Sequence, residues 1–108
     1  MTINLRKSDA KEPFTFIFVN SNGKTIVKSE NYAQKASAKN GIESVIKNCQ
    51  DDSRYEMKMS SNNKAFFNIK STNGQIVGTS ALFENEEERA TAIKELKANS
   101  AGAEITEL

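Results

Sequence analysis

The sequence predicts an α+β protein in which one β-β-β-α unit is written twice. Three observations carry this. Phe16, Phe18, Asn22, Gly23, Ile26, Ser29, Tyr32, Ile42, Val45 and Asn48 meet Phe67, Ile69, Asn73, Gly74, Val77, Ser80, Phe83, Ile93, Leu96 and Asn99 at a constant offset of 51 residues, without a gap. Within each copy, short runs of alternating large apolar residues flank an Asn-Gly pair, as strands flank a hairpin turn. After each hairpin the apolar spacing changes from two to three and four, the period of a helix lying on a core.

The elements follow in order. Ile3 and Leu5 alternate with Asn4 and Arg6 as a first strand, and Ser8 to Pro13 turns the chain. Phe14, Phe16 and Phe18 alternate with the β-branched Thr15, Ile17 and Val19, and Asn22-Gly23 predicts a type I′ turn with both central residues at positive φ. Ala38, Ile42, Val45, Ile46 and Cys49 form one stripe of a helix from about Lys35 to Asn48. Tyr55, Met57 and Met59 open the second copy, Ser60 to Lys64 turns it, and Phe66 to Lys70, Asn73-Gly74 and Gln75 to Ser80 repeat the hairpin. In the second helix Asn85 and Glu88 have capping-box spacing, and Glu86, Glu87 and Glu88 fall in the first turn, where the helix dipole favours carboxylates. That explains the acidic run better than a metal site, because consecutive helical residues point in different directions. Glu104 to Leu108 either adds an edge strand or lies against the core.

At 108 residues the chain is one domain by size, and halves of about 1–53 and 54–108 are each too small to bury a core alone, so they must share one. Fifteen basic and 14 acidic residues leave a net charge of +1, which is no footprint for nucleic acid. The first 54 residues carry +3 and the remainder −2, a tilt that solvated faces explain. Cys49 is the single cysteine, so no intramolecular disulfide forms, and no apolar segment has the length of a signal peptide or membrane span. These features place the protein in the cytoplasm.

Ser29-Glu-Asn-Tyr32 and the string Lys39-Asn-Gly-Ile-Glu-Ser-Val-Ile-Lys-Asn48, followed by Arg54-Tyr-Glu56, resemble the YegP-like family of small bacterial proteins. The resemblance covers both repeats. It implies a single antiparallel sheet with two helices packed on one face and exchanged between the units. It also implies a monomer, since a tandem chain contains the arrangement that single-repeat members reach by dimerising. Two departures stand out: Gln34 occupies the first helix's N-cap, where Ser or Thr is usual, and Thr91-Ala-Ile93 replaces the Asn-Gly-Ile string. The family brings no activity with it.

Histidine is absent, so Ser-His-Asp and Cys-His arrangements cannot be built, and neither zinc ligand spacing nor a phosphate-binding glycine loop occurs. No catalytic residue, cofactor or metal is expected. Cys49 reads as a small buried hydrophobe; a redox role would need exposure and a lowered pKa. Gly41, inside a helix, costs about 1 kcal/mol relative to Ala, which close approach to the sheet or the partner helix would offset; room for a ligand is the other reading. If Phe16 and Phe18 face the helices, then Thr15, Ile17, Val19, Phe66, Asn68 and Lys70 lie on the opposite face. Its apolar half reads either as β-propensity or as an exposed docking surface. Three functional readings follow: a non-enzymatic interaction module binding a protein, peptide or small ligand; nucleic-acid binding with Phe66 stacking and Lys28, Lys58 and Lys70 on phosphates; and a His-free enzyme using Glu30 or Glu56 with a lysine.

Overall fold

The computed structural model describes all 108 residues. β1 (Thr2–Lys7), β2 (Phe14–Val19), β3 (Thr25–Lys28) and α1 (Lys35–Asn48) form the first unit. A turn of 3-10 helix (Asp52–Arg54) leads into β4 (Tyr55–Met59), β5 (Ala65–Lys70), β6 (Ile76–Ser80) and α2 (Glu86–Asn99), and β7 (Glu104–Glu107) follows. All strands join one sheet in the order β4-β5-β6-β3-β2-β1-β7. Neighbours are antiparallel except β7, which runs parallel to β1 at the edge. The tail thus makes an edge strand and turns an antiparallel sheet into a mixed one.

The repeats meet where β3 pairs with β6, with Lys28 opposite Thr79 and Val27 opposite Ser80. Lys28 and Thr79 are 51 residues apart, so the pseudo-twofold axis passes between equivalent residues. Beneath them the next equivalent pair is unequal: a Cβ built on Gly78 would lie 2.7 Å from Val27 Cγ1 and 3.5 Å from Val45 Cγ2. Val27 fills the axis for both copies, and a second side chain there would collide. On the helix side, Cys49 Sγ and Ser100 Oγ, again 51 residues apart, lie 3.3 Å from each other, and both residues are fully buried.

Local chemistry repeats as well. Register shifts between Phe18 and Val19 and between Ile69 and Lys70 leave Ile26 and Val77 as extra residues in β3 and β6. The first bulge brings Ile26 and Val27 together into the core. Beyond each bulge a serine completes the ladder: Phe16 N–H donates to Ser29 Oγ and Phe67 N–H to Ser80 Oγ, both at 2.9 Å, while the hydroxyls donate onward to the carbonyls of Glu30 and Ala81. The hairpin turns differ from the type I′ expectation. Gly23 and Gly74 have φ of 80° and 83°, but Asn22 and Asn73 do not have positive φ. Gly23 N–H donates to Asn20 O (3.0 Å) and Asn20 N–H to Lys24 O (2.9 Å), so glycine holds the single left-handed position of a bulged loop. In the first turn Asn20 Oδ1 also accepts from the N–H groups of Asn22 and Lys24, both at 3.0 Å; in the second Ser71 stands at that place and the same loop closes, with Gly74 N–H donating to Ser71 O (3.0 Å) and Ser71 N–H to Gln75 O (2.9 Å).

One core of 16 buried residues draws on both repeats, including Phe16, Phe18, Phe67, Ile3, Ile42, Ile69 and Leu96. Both helices cover the same face, and α1 lies against β2 of its own unit and β5 and β6 of the other. At the head of α1, Gln34 makes no side-chain cap bond, whereas Asn85 Oδ1 accepts from Glu88 N–H at 2.9 Å at the head of α2. The Glu88 carboxylate accepts from Glu84 N–H rather than from Asn85, so the box closes one residue early.

Gly41 does make a close approach. A Cβ there would meet the Tyr32 hydroxyl, with Tyr32 Cζ at 2.9 Å and Phe16 Cε2 at 3.0 Å; Tyr32 stacks on Phe16 with centroids 6.2 Å apart. The equivalent pair in the second unit is Phe83 with Ala92. Where the ring has a hydroxyl the helix has no methyl, and where the methyl is present the hydroxyl is missing.

Two predictions follow from these contacts. Gly41→Ala should destabilise by about 1 kcal/mol even though alanine improves helix propensity by a similar amount, and Gly41→Leu by more. Adding Tyr32→Phe should recover most of the loss, so a double-mutant cycle by denaturant unfolding should be non-additive; additive effects would mean the two positions do not share the space. Ser100→Cys should form a disulfide with Cys49 on mild oxidation, closing a loop whose entropy is worth about 4 kcal/mol. Two free thiols by titration of the oxidised variant would contradict the axial contact.

Candidate functional site

Because both helices lie on one side, the other face of the sheet has no cover, and cross-strand register lays a row of side chains across it. Glu56 pairs with Asn68, Asn68 with Thr79, Thr79 with Lys28, Lys28 with Ile17, Ile17 with Asn4 and Asn4 with Thr106, so the row spans all seven strands. Half of it is wired together. Thr79 Oγ1 donates to Asn68 Oδ1 (2.8 Å), Asn68 Nδ2 donates to Glu56 Oε1 (3.0 Å), and Lys70 Nζ lies 3.1 Å from Glu56 Oε2.

The expected surface residues share this face, but not as an exposed apolar patch. Ile17 is only 6% exposed, between its cross-strand neighbours Asn4 and Lys28, and Thr15, Val19 and Phe66 are half-buried. The expectation of an apolar half open to solvent is therefore corrected: on a seven-strand sheet a central β-branched residue is shielded by neighbouring side chains. Asn68, also 6% exposed, is a structural link with both ends of its amide bonded. What the face does present is cationic: Lys58, directly opposite Phe66, with Lys70 and Lys28 farther along the sheet. Phe66 is tied from behind, since Arg89 of α2 donates to the carbonyls of Lys58 (3.0 Å) and Phe66 (3.3 Å).

Asn68's amide and then Lys70's ammonium hold the Glu56 carboxyl below the usual carboxylate range. That is opposite to the raised pKa a general base needs near neutral pH, and Glu56 sits on an open sheet. Glu30, the other candidate carboxylate, is exposed on the loop after β3, away from the row. Burial pushes the Cys49 thiol up, against hydrogen bonds from Ser100 and Gln50, so the thiol is not activated. No cluster of three His, Cys, Asp or Glu side chains could hold a metal ion.

Two grooves related by the pseudo-axis lie elsewhere. One, of about 530 Å³, runs between the first hairpin turn (Asn20, Asn22, Lys24) and α2 (Glu87, Glu88, Thr91, Glu95), floored by Ile26, Phe83 and Ala92. Lys24 Nζ sits 5.4 Å from the Phe83 ring centroid within it. The other, about 350 Å³, runs between Ser71 and Thr72 of the second turn and Asn40, Glu43, Ser44 and Lys47 of α1, with no apolar floor. Each turn of one repeat thus faces the helix of the other. The sequence signal for these grooves and for the axial contacts is the constant offset itself, once the two copies are set about an axis.

This architecture defines a class: a tandem βα protein whose two units complete one another's sheet and leave one face bare. A family model described as a domain of unknown function, DUF1508, matches residues 9–56 and 60–107, and the chain belongs to that family. It is 42% identical to a UPF0339 protein of Acinetobacter baylyi over 102 residues, 94% of this chain and 92% of the relative. It is 44% identical to the UPF0339 protein YegP of Escherichia coli O157:H7 over 94 residues, 87% and 84% of the two chains. The solution NMR structure of the UPF0339 protein SO3888 from Shewanella oneidensis has a TM-score of 0.90 at 36% identity, covering 99% of this chain and 90% of that one. No helix is long and apolar enough to cross a membrane.

The depressed Glu56 pKa means that its hydrogen bond from Asn68 and its ion pair with Lys70 stabilise the fold above the ordinary carboxylate pKa, and that this contribution is lost as pH falls through the lower folded value. Asn68→Ala removes the larger cause. Glu56 should then titrate nearer its ordinary value, and the acid loss should begin at higher pH, as read from the carboxyl resonance in an NMR titration.

Proposed function

We propose that this protein is a non-enzymatic binding module of the cytoplasm whose contact surface is the helix-free face of the sheet, holding a protein, peptide or small ligand. The observation that carries this reading is the row from Glu56 to Thr106 across the helix-free face, held in register by seven strands: Glu56, Asn68 and Thr79 are bonded to one another, Lys28 is exposed beside them, and Ile17 is buried between Lys28 and Asn4. Rigid polar groups on a scaffold lose little entropy when they bind. The Asn68 amide and Lys70 ammonium hold Glu56 in its charged form, which supports a binding role for that carboxylate rather than proton transfer.

Nucleic-acid binding is the second reading, favoured by the placement of Phe66, Lys28, Lys58 and Lys70 on this same face. A comparison of wild type with Lys28→Glu/Lys58→Glu distinguishes the two. Affinity capture from the native host should yield a partner that the variant loses while its unfolding midpoint stays within a few degrees of wild type. A single-stranded oligonucleotide that binds wild type tenfold or more weakly at 200 mM than at 50 mM salt would favour nucleic acid. Capture unchanged by the variant would remove the open face from consideration.

A further inference from the structure

The sheet closes internally at β3–β6, but its outer edge at β4 is bare. The Ser60 N–H to Lys64 carbonyl bond fixes the phase of the β4–β5 ladder. Alternation then makes Lys58–Phe66 and Glu56–Asn68 the hydrogen-bonded pairs, so the backbone groups of Met57 and Met59 and the Tyr55 carbonyl point to the free edge, while the Tyr55 N–H donates to the Asp52 carbonyl. Met57 and Met59 are 52% and 50% exposed there. A row of unpaired donors and acceptors flanked by exposed methionines is a template for another strand.

We propose that a second copy of this chain occupies that edge, antiparallel about Met57, joining two sheets into one. The five residues Tyr-Glu-Met-Lys-Met are self-complementary in that register. Glu56 faces Lys58 of the second copy and Lys58 faces its Glu56, on the helix-free side. Tyr55 faces Met59 on the other side, and Met57 faces itself. Opposite charges directly across an antiparallel pair stabilise it, and like charges oppose it. Sliding by two residues sets Lys58 against Lys58 or Glu56 against Glu56, so one register is selected. The interface is isologous and closes at two subunits. The other edge offers no such charge pairing: β7 paired antiparallel about Ile105 would set Glu104 against Thr106, and about Thr106 would set Ile105 against Glu107. This dimer runs against the monomer expected from the tandem repeat, and it leaves the internal β3–β6 interface untouched.

Sedimentation equilibrium from about 10 μM to 1 mM should show the mass rising from one chain toward two, as for an interface of modest free energy. Met57→Pro should abolish the rise while keeping the native circular dichroism, because the N–H it removes faces no strand of its own sheet. Lys58→Glu alone and Glu56→Lys alone should both be monomeric, and an equimolar mixture of the two should form a heterodimer. A wild type that stays monomeric at 1 mM, a dimer that persists in Met57→Pro, variants that fail to pair when mixed, or assemblies growing beyond two chains would each overturn the proposal.

Discussion

The constraint on which the rest of this structure depends is that two copies of one unit share a sheet through β3 and β6, so residues 51 apart must face each other. Lys28 meets Thr79, Val27 meets Gly78, and Cys49 meets Ser100. Identical side chains at such positions would compete for one volume. The chain avoids this by filling the axis from one side: the valine's methyls occupy the space that a glycine vacates. The shared core exists because that seam closes tightly enough for α1 to lie over β5 and β6 as well as over its own β2.

Placing both helices on one side fixes where chemistry can occur. The covered face is spent on packing, and its polar groups are satisfied by local serine and asparagine bonds. The bare face is where charge and hydrogen-bonding capacity remain free of the fold's own needs, and even there Asn68, Thr79, Glu56 and Lys70 bond one another before any ligand arrives. Lys28 and Lys58 are exposed on that face without a carboxylate partner.

Much of the fold is legible in the sequence because the repeat doubles every signal. The alternation of Phe16 and Phe18, seen again in Phe67 and Ile69, makes the strands plain, and glycine at 41 against alanine at 92 marks the close approach. What sequence pattern does not carry is competition and shielding. Asn22-Gly23 has the composition of a two-residue turn, but the chain closes as a three-residue loop between Asn20 and Lys24, as Asn73-Gly74 does between Ser71 and Gln75. Ile17 is on the face that alternation assigns to it, yet its exposure depends on the cross-strand side chains of Asn4 and Lys28, and no periodicity reports that. The tail is a related case: Arg54-Tyr-Glu56 and Ile105-Thr-Glu107 stand at the same offset of 51, but β1 already occupies the place beside β2, so the second of them is displaced outward into parallel pairing.

That parallel pairing of β1 with β7 has a mechanical consequence. Tension between the start of β1 and the end of β7 would pull two side-by-side parallel strands in opposite senses along their length, loading the bonds between them in shear. All would have to yield together, whereas an antiparallel hairpin pulled from its open end parts one bond at a time. Force entering through these two strands would meet the sheet in its stiffest direction, and the rate of forced opening would be set by the rupture of a four-residue seam.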